Sequence, residues 1–336
     1  MSSEKQPIEK IKEISTAYWK SQTLFTALKL NLFKEMRDKT LTLQDLCSRL
    51  GTDPHGLEPL LLSLTALGLM EKTDRGYLVK EPYRPYLSEG GDKDFSGAIS
   101  HMDHLQATWK RLDESVQSGG PIVFDEEIPE SEIQQRTERF MAAMESIASN
   151  VSQELIRQFP LKGDEEILDL GCGPGTYFRT FLKTYPEARA TAVDTEDVIP
   201  ITRHHVEREG LSGRVAFVPG DFYELTFKDS FYHLVILSNI IHMFAPDRAV
   251  ALCEKIYSAL SPGGTLLIND FFTDETGTRP RWGALFSLNM LLNTDGGKNY
   301  TLEEGKRFLQ EAGFVKIRSK PLCMDATLLI GSKQDS

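Results

Sequence analysis

Ile167-Leu168-Asp169-Leu170-Gly171-Cys172-Gly173-Pro174-Gly175-Thr176 is the stretch that decides the fold: an apolar strand running straight into a glycine loop that opens a helix. Glycines let the backbone turn tightly and let a ligand lie against bare amides. A dinucleotide site uses G-x-G-x-x-G, with a pyrophosphate at the helix N-terminus. Here the spacing is G-x-G-x-G, and Asp169 stands two residues before the loop. A carboxylate there opposes pyrophosphate and suits a positively charged ligand. Taken alone, the loop fits a structural turn as well as a site.

Working outward toward the C-terminus, short apolar runs alternate with helical stretches. The expected strands are 167–170, 190–194, 215–218, 234–237, 265–269, 315–318 and 327–330. The last two are close enough to pair antiparallel. The pattern predicts an α/β, doubly wound, seven-stranded sheet. Asp194 ends the second strand, where an acid can accept both hydroxyls of a ribose. Gly220-Asp221-Phe222 ends the third, an acid for an exocyclic amine beside a ring for the face of an adenine. The fourth runs into Ser238-Asn239-Ile240-Ile241-His242, and Leu260-Ser261-Pro262-Gly263-Gly264 turns the chain before the fifth. Carboxylates at three successive strand ends are expected to face one crevice at the carboxyl edge of the sheet.

Upstream the pattern is helical. Ile8, Ile11, Ile14 and Tyr18 recur at helical spacing, as do Leu24, Leu28 and Leu32. Thr42-Leu43-Gln44-Asp45 reads as a capping box with Gly51 as its stop, and Asp53-Pro54 opens the next helix. Met70 to Lys80 reads as a hairpin around Asp74-Arg75-Gly76. Helix-turn-helix plus hairpin is a winged-helix pattern. The recognition-like helix from Asp53 to Leu69 carries no Lys or Arg, whereas DNA binding needs cations there. A subunit interface suits this lobe better. Residues 117–129 read as a linker, and Ser131 to Phe159 as a long amphipathic helix with Phe140, Met144, Ile147, Val151 and Leu155 on one face. Two domains are therefore expected, 1–120 and 121–336.

The 336 residues carry 38 basic against 49 acidic side chains, a net charge of −11, which repels a phosphate polyanion. No apolar run approaches the roughly 18 residues of a membrane span. The start of the chain has no signal-like apolar core. The four cysteines lie far apart without a Cys-x-x-Cys pair, which suits a reducing cytosol. His101 and His104 share a helix face without further ligands, so no metal is expected.

Together, Asp-Leu-Gly-Cys-Gly-Pro-Gly, Asp194, Gly-Asp-Phe and Leu-Ser-Pro-Gly-Gly resemble the successive motifs of class I S-adenosylmethionine-dependent methyltransferases. The N-terminal lobe, Asn-Ile-Ile-His and Asn293-Thr294-Asp295-Gly296-Gly297-Lys298-Asn299-Tyr300-Thr301 narrow this. They resemble the small-molecule O-methyltransferases with a winged-helix-like dimerisation domain, over nearly the whole chain. The resemblance implies a Rossmann-like fold, a homodimer and S-adenosylmethionine as cofactor, with S-adenosylhomocysteine as product. Asp169, Gly171, Gly173, Gly175, Asp194, Asp221, Phe222 and Ser238 are implied at the cofactor. His242 matches the family's catalytic base, and Asp270 is positioned to orient it. The sequence departs from the family at Met243-Phe244 in place of Asp-Trp and at Ser238 in place of lysine. Asp270 and Asn299 replace two glutamates, and His233 replaces an acid.

The acceptor is expected to be a small, largely apolar aromatic or quinone-like molecule. Trp109, Phe140, Met141 and Met144 are expected to border it, with Trp282, Phe286, Met290 and Asn293 closing the C-terminal side. Such a stripe also suits plain core. Other reactions on the same cofactor, a ligand-sensing regulator and a nicotinamide-dependent dehydrogenase remain alternatives at this point.

Overall fold

The computed structural model describes residues 6–87, 93–122 and 130–335, the side chains of 130–132 excepted. The chain divides into two compact units, Met1–His104 and Leu105–Ser336.

The first unit holds α1 (Pro7–Ser15), α2 (Ala17–Lys29), α3 (Leu32–Met36), α4 (Leu43–Leu50) and α5 (Pro54–Ala66). The hairpin β1 (Met70–Thr73) and β2 (Gly76–Val79) follows, then α6 (Arg84–Leu87) and α7 (Ser96–Trp109), in which the division falls. Local chemistry sets these ends as the sequence predicts. Thr42 and Asp45 form the reciprocal capping box, and Gly51 closes α4 in the left-handed region at φ 63. Asp53 caps α5 by accepting from the His55 amide at 2.8 Å. Phe33, Leu46, Leu61, Leu64 and Met70 close the core. By contrast, no residue of α1 is buried.

The second unit is a seven-stranded sheet in the order β5-β4-β3-β6-β7-β9-β8. The strands are β3 (Glu166–Leu170), β4 (Arg189–Asp194), β5 (Val215–Pro219), β6 (Tyr232–Ser238), β7 (Leu260–Asp270), β8 (Val315–Pro321) and β9 (Thr327–Ser332). All seven predicted strands are present. The first five run parallel, and the last two pair antiparallel as expected. Within that pair, β9 inserts beside β7 and β8 takes the edge. Burial explains the choice: Leu328, Leu329 and Ile330 are fully buried, whereas β8 carries Lys316, Arg318 and Lys320, charges that blunt an exposed edge.

Helices cover both faces. On one, α9 (Glu130–Gln158), α10 (Thr176–Thr184) and α11 (Ile199–Arg208) bury Leu155, Phe178, Phe181 and Val206 against Ile167, Ala192 and Ile236. On the other, α12 (Pro246–Ala259) and α14 (Leu302–Glu311) bury Leu252, Ile256, Phe308 and Leu309 against Val235, Leu237 and Ile268. The short α8 (Leu112–Ser118) precedes the expected linker, whose residues 123–129 lie outside the described set. From β3 the chain winds outward to β4 and β5, then returns to β6 on β3's other side. Strand order reverses there, and in open sheets that is where ligands bind. Among the described residues no helix is long and apolar enough to cross a membrane.

Candidate active site

The site begins where β3 becomes the glycine loop. Gly171, Gly173 and Gly175 all have positive φ, at 66, 53 and 80. A Cβ on Gly171 would collide with the Ile240 side chain, and one on Gly175 with the Phe178 ring. Glycine is therefore required both for backbone shape and for close approach. Asp194 anchors the loop from the next strand. Its Oδ2 accepts the Gly173 amide at 2.7 Å, and its Oδ1 accepts the Thr195 amide at 2.8 Å. Each oxygen keeps a second acceptor position for a ligand hydroxyl. Burial pushes this carboxyl up, and the two backbone donors pull it back.

Beside the loop opens a cavity of about 730 Å³, whose wall includes Gly171, Gly173, Asp194, Asp221, Phe222 and Ser238. Six of the eight predicted cofactor residues thus converge. Gly175 and Asp169 do not reach the wall. Strand alternation places Asp169 on the same face as Ile167, the face that α10 covers, so its carboxyl lies under the helix's first turn. It is 1% exposed, and one oxygen is buried without a partner. Burial raises this acid to about 8, the Asp194 charge adds to the rise, and the Phe178 amide opposes it.

At one end of the cavity Phe222, Tyr223 and Phe244 meet at ring separations of 5.1–5.9 Å. The Arg248 guanidinium lies 4.2 Å over Tyr223 and 5.0 Å over Phe244. Asp221 Oδ1 accepts the Tyr223 amide at 2.8 Å, which fixes the acid beside this aromatic cluster. Sequence reading found Phe222 and missed Tyr223 and Arg248. The available signal was the run Phe222-Tyr223 followed by Phe244 at the next loop.

From α9, Phe140, Met141 and Met144, residues expected at the acceptor, line the same cavity as the glycine loop. This helix is tied to the loop by Arg179 of α10. Arg179 is 2% exposed, and one of its terminal nitrogens donates to both Glu145 oxygens at 2.7 Å. Its other terminal nitrogen donates to Glu209 at 2.6 Å, and Thr176 donates to Glu145.

His242 follows β6 in a short helical turn, and Asp270 ends β7. His242 Nδ1 meets Asp270 Oδ1 at 2.6 Å, with the side chains 7% and 2% exposed. The Phe271 amide also donates to that oxygen, at 2.7 Å. A carboxylate can only accept here, so Nδ1 is the donor in this contact and Nε2 is the ring nitrogen left outside it. Phe286 packs edge-on against the imidazole at 5.0 Å, and Phe271 and Trp282 extend that aromatic wall. Sequence reading missed Phe271. The remaining predicted acceptor residues lie elsewhere. The Trp109 indole N–H and the Asn293 amide both donate to Asn289 Oδ1, at 3.1 and 3.2 Å. Met290 is buried. The three share no wall with the cavity. In α13 (Arg281–Asn293) the face that begins at Phe286 turns into helix packing one turn later. Asn299 is buried, with its Nδ2 donating to the Gly283 carbonyl at 3.0 Å.

The residues present fit S-adenosylmethionine. A glycine cradle admits no side chain, a buried acid has an unpartnered oxygen, and two further acids border the cavity, one of them beside an aromatic cluster. That combination suits a ribose, an adenine and a cationic centre together. Asp194 would hold the ribose and Asp221 with Phe222 the adenine.

Comparison with known proteins agrees. Residues 109–315 match the O-methyltransferase domain family, and residues 12–85 the O-methyltransferase dimerisation domain. The tetracenomycin polyketide synthesis 8-O-methyl transferase TcmO of Streptomyces glaucescens is 28% identical over 334 residues, 96% of each chain. The acetylserotonin O-methyltransferase of Bos taurus is 27% identical, covering 92% of this chain and 93% of that one. The crystal structure of human N-acetylserotonin methyltransferase in complex with SAM shares the fold, with a TM-score of 0.88 at 24% identity and 99% coverage of each chain. The chain belongs to the O-methyltransferase family and is an S-adenosylmethionine-dependent methyltransferase.

Proposed function

We propose that this enzyme methylates a hydroxyl oxygen on a small, largely apolar aromatic molecule, with His242 as general base and Asp270 as its orienting partner. The observation that carries this reading is the buried 2.6 Å contact between His242 Nδ1 and Asp270 beside an aromatic wall. When bound, the cofactor supplies an electrophilic methyl group on a sulfonium. Phenols with a pKa near 10 are mostly neutral at pH 7 and poor nucleophiles. His242 Nε2 takes the hydroxyl proton as the oxygen attacks, and Asp270 stabilises the imidazolium that results. Phe271, Trp282 and Phe286 give the acceptor ring flat apolar surfaces and exclude water from the proton transfer. The names of relatives support an aromatic acceptor: one is a 3-hydroxy-5-methyl-1-naphthoate 3-O-methyltransferase, 28% identical over 310 residues.

The test is incubation with S-adenosylmethionine and a panel of naphthols, phenols, indoles and thiols, read by mass spectrometry. The expected product gains one methyl group on oxygen. Methylation confined to carbon, nitrogen or sulfur, or loss of carbon dioxide, would replace this reading.

The N-terminal lobe we read as winged-helix-like and as the seam of a homodimer working in the cytosol. Ile8, Ile11, Ile14, Tyr18 and Trp19 are each more than half exposed, and an exposed apolar row of this kind suits an interaction surface. Sedimentation equilibrium is expected to give twice the chain mass, and Ile11→Asp with Trp19→Asp to give the monomer.

A further inference from the structure

Arg179 stands in α10 one turn after Thr176, and Thr176 directly follows Gly175. Its guanidinium is buried and reaches two neighbouring helices. One terminal nitrogen donates to both oxygens of Glu145, in α9, at 2.7 Å. The other donates to Glu209, at the end of α11, at 2.6 Å, and Lys183 meets the same Glu209 oxygen at 2.8 Å. Thr176, on the cavity wall, donates its hydroxyl to Glu145 as well. One carboxylate of α9 is thus held from two points of α10, and one of those points is the residue that ends the glycine loop.

Stability alone does not account for this network. Among the described residues Arg179 Nε and Glu209 Oε2 are buried without a partner. An ion pair taken out of water gains little over apolar side chains of similar volume. What the network supplies is position, because short charge-assisted bonds are directional. On α9, Glu145 shares a face with Met141, one turn earlier, and directly follows Met144. Both methionines line the cavity, and Met141 Sδ lies 3.7 Å from where a Cβ on Gly173 would stand. Methionine is unbranched and adapts its shape, so these contacts by themselves leave α9 free to slide against the loop. The pair with Arg179 removes that freedom.

We propose that Glu145 and Arg179 are positioning residues for methyl transfer: their pair fixes the seat of α9 against the glycine loop, and so the placement of the acceptor against the cofactor's methyl group. The inference rests on the reading that Phe140, Met141 and Met144 border an aromatic hydroxyl acceptor. Neither Glu145 nor Arg179 is on the cavity wall, so both act through the residues that are. Displacement at a methyl group needs a near-attack geometry, and a misplacement of about 1 Å costs about 10²-fold in rate. The effect of the pair therefore falls on kcat and on which hydroxyl is methylated, and leaves cofactor affinity alone.

The experiment compares wild type, Glu145→Ala, and the double variant Glu145→Leu with Arg179→Met, which puts apolar bulk in place of the pair. Glu145→Ala leaves Arg179 bonded to Glu209, and the double variant leaves Glu209 with Lys183, so neither strands a buried charge. Each protein receives S-adenosylmethionine and an unsymmetrical dihydroxynaphthalene, whose two hydroxyls give two distinguishable methyl ethers. Rate and ether ratio are read by chromatography with mass spectrometry, S-adenosylhomocysteine affinity by calorimetry, and stability by thermal unfolding. Wild type is expected to favour one ether. Glu145→Ala is expected to lose about 10–100-fold in kcat and to bring the two ethers toward equal amounts. Its affinity for S-adenosylhomocysteine should stay within about threefold of wild type. The double variant is expected to unfold no earlier than Glu145→Ala and to remain as slow. Wild-type rate and ether ratio in Glu145→Ala overturn the proposal, as do equal ethers from wild type. So does a loss of rate matched by an equal loss of cofactor affinity, or full recovery in the double variant, because either marks a network that only holds the fold. If wild type methylated no hydroxyl on any naphthol, the oxygen-acceptor reading would fall and the proposal with it.

Discussion

His242→Ala is expected to lower kcat for a phenolic acceptor by about 10²–10⁴-fold, the usual contribution of a positioned general base. Cofactor affinity should stay within about threefold of wild type, because His242 is not on the cavity wall that holds the glycine loop. The size of the loss must depend on the acceptor. A phenol made acidic enough to be ionised at assay pH has no proton to surrender, so the variant should turn it over at nearly the wild-type rate. His242→Gln, which preserves bulk and polarity, should behave as the alanine variant does. These two results together separate a base from a residue that shapes the pocket. Uniform loss across acidic and ordinary phenols, or turnover by the glutamine variant close to wild type, would remove the base role and leave alignment as the main source of rate.

That Asp270 would orient His242 came from the resemblance, and the structure brings the two together because they stand at the carboxyl ends of the neighbouring parallel strands β6 and β7. The strands themselves were legible because β3, β6 and β7 each carry a short apolar stretch buried on both faces, at Ile167–Leu168, Leu234–Leu237 and Leu266–Ile268. The capped ends of α4 and α5 were legible because caps are local chemistry. What sequence order hides is pairing across long separations between residues with a bland reading. Nothing in the local pattern singles out Arg179 or Glu145, which meet only when α9 folds over α10, 34 positions away. Tyr177 carries no local signal either, and its hydroxyl meets the Asn269 amide from 92 positions on. The face of α9 serves two ends. Val151 and Leu155 are buried as its period predicts, yet Phe140 is 42% exposed. It borders a cavity, and periodicity does not distinguish a cavity from a core. Asp169 shows the converse. Its place near the strand end was correct, but alternation along β3 turned the side chain under the helix.

The two acids near the loop make separable contributions to cofactor affinity. Asp194→Ala is expected to weaken S-adenosylhomocysteine by about 10²–10⁴-fold, since hydrogen bonds to a charged group are worth about 1.5–3 kcal/mol each and two ribose hydroxyls would lose theirs. The variant also frees the Gly173 amide that Asp194 holds, so the loop loses its anchor along with the ribose. Asp169 is expected to govern how affinity for S-adenosylmethionine varies with pH. The fold raises it from an ordinary value of 3.8 to about 8. Between those values the native protein holds a proton that the unfolded chain has released, so apo stability falls as pH rises through the window and levels off above about 8. A cationic ligand favours the ionised acid and expels that proton. Affinity should therefore climb by up to about tenfold per pH unit below pH ~8 and flatten beyond it. Calorimetry in buffers of different protonation enthalpy reads the released proton directly. Asp169→Asn should abolish both the proton release and the slope. A wild-type affinity that is flat across the same range would mean that Asp169 keeps its proton with the cofactor bound, and that the loop recognises the sulfonium end without a charge beneath it.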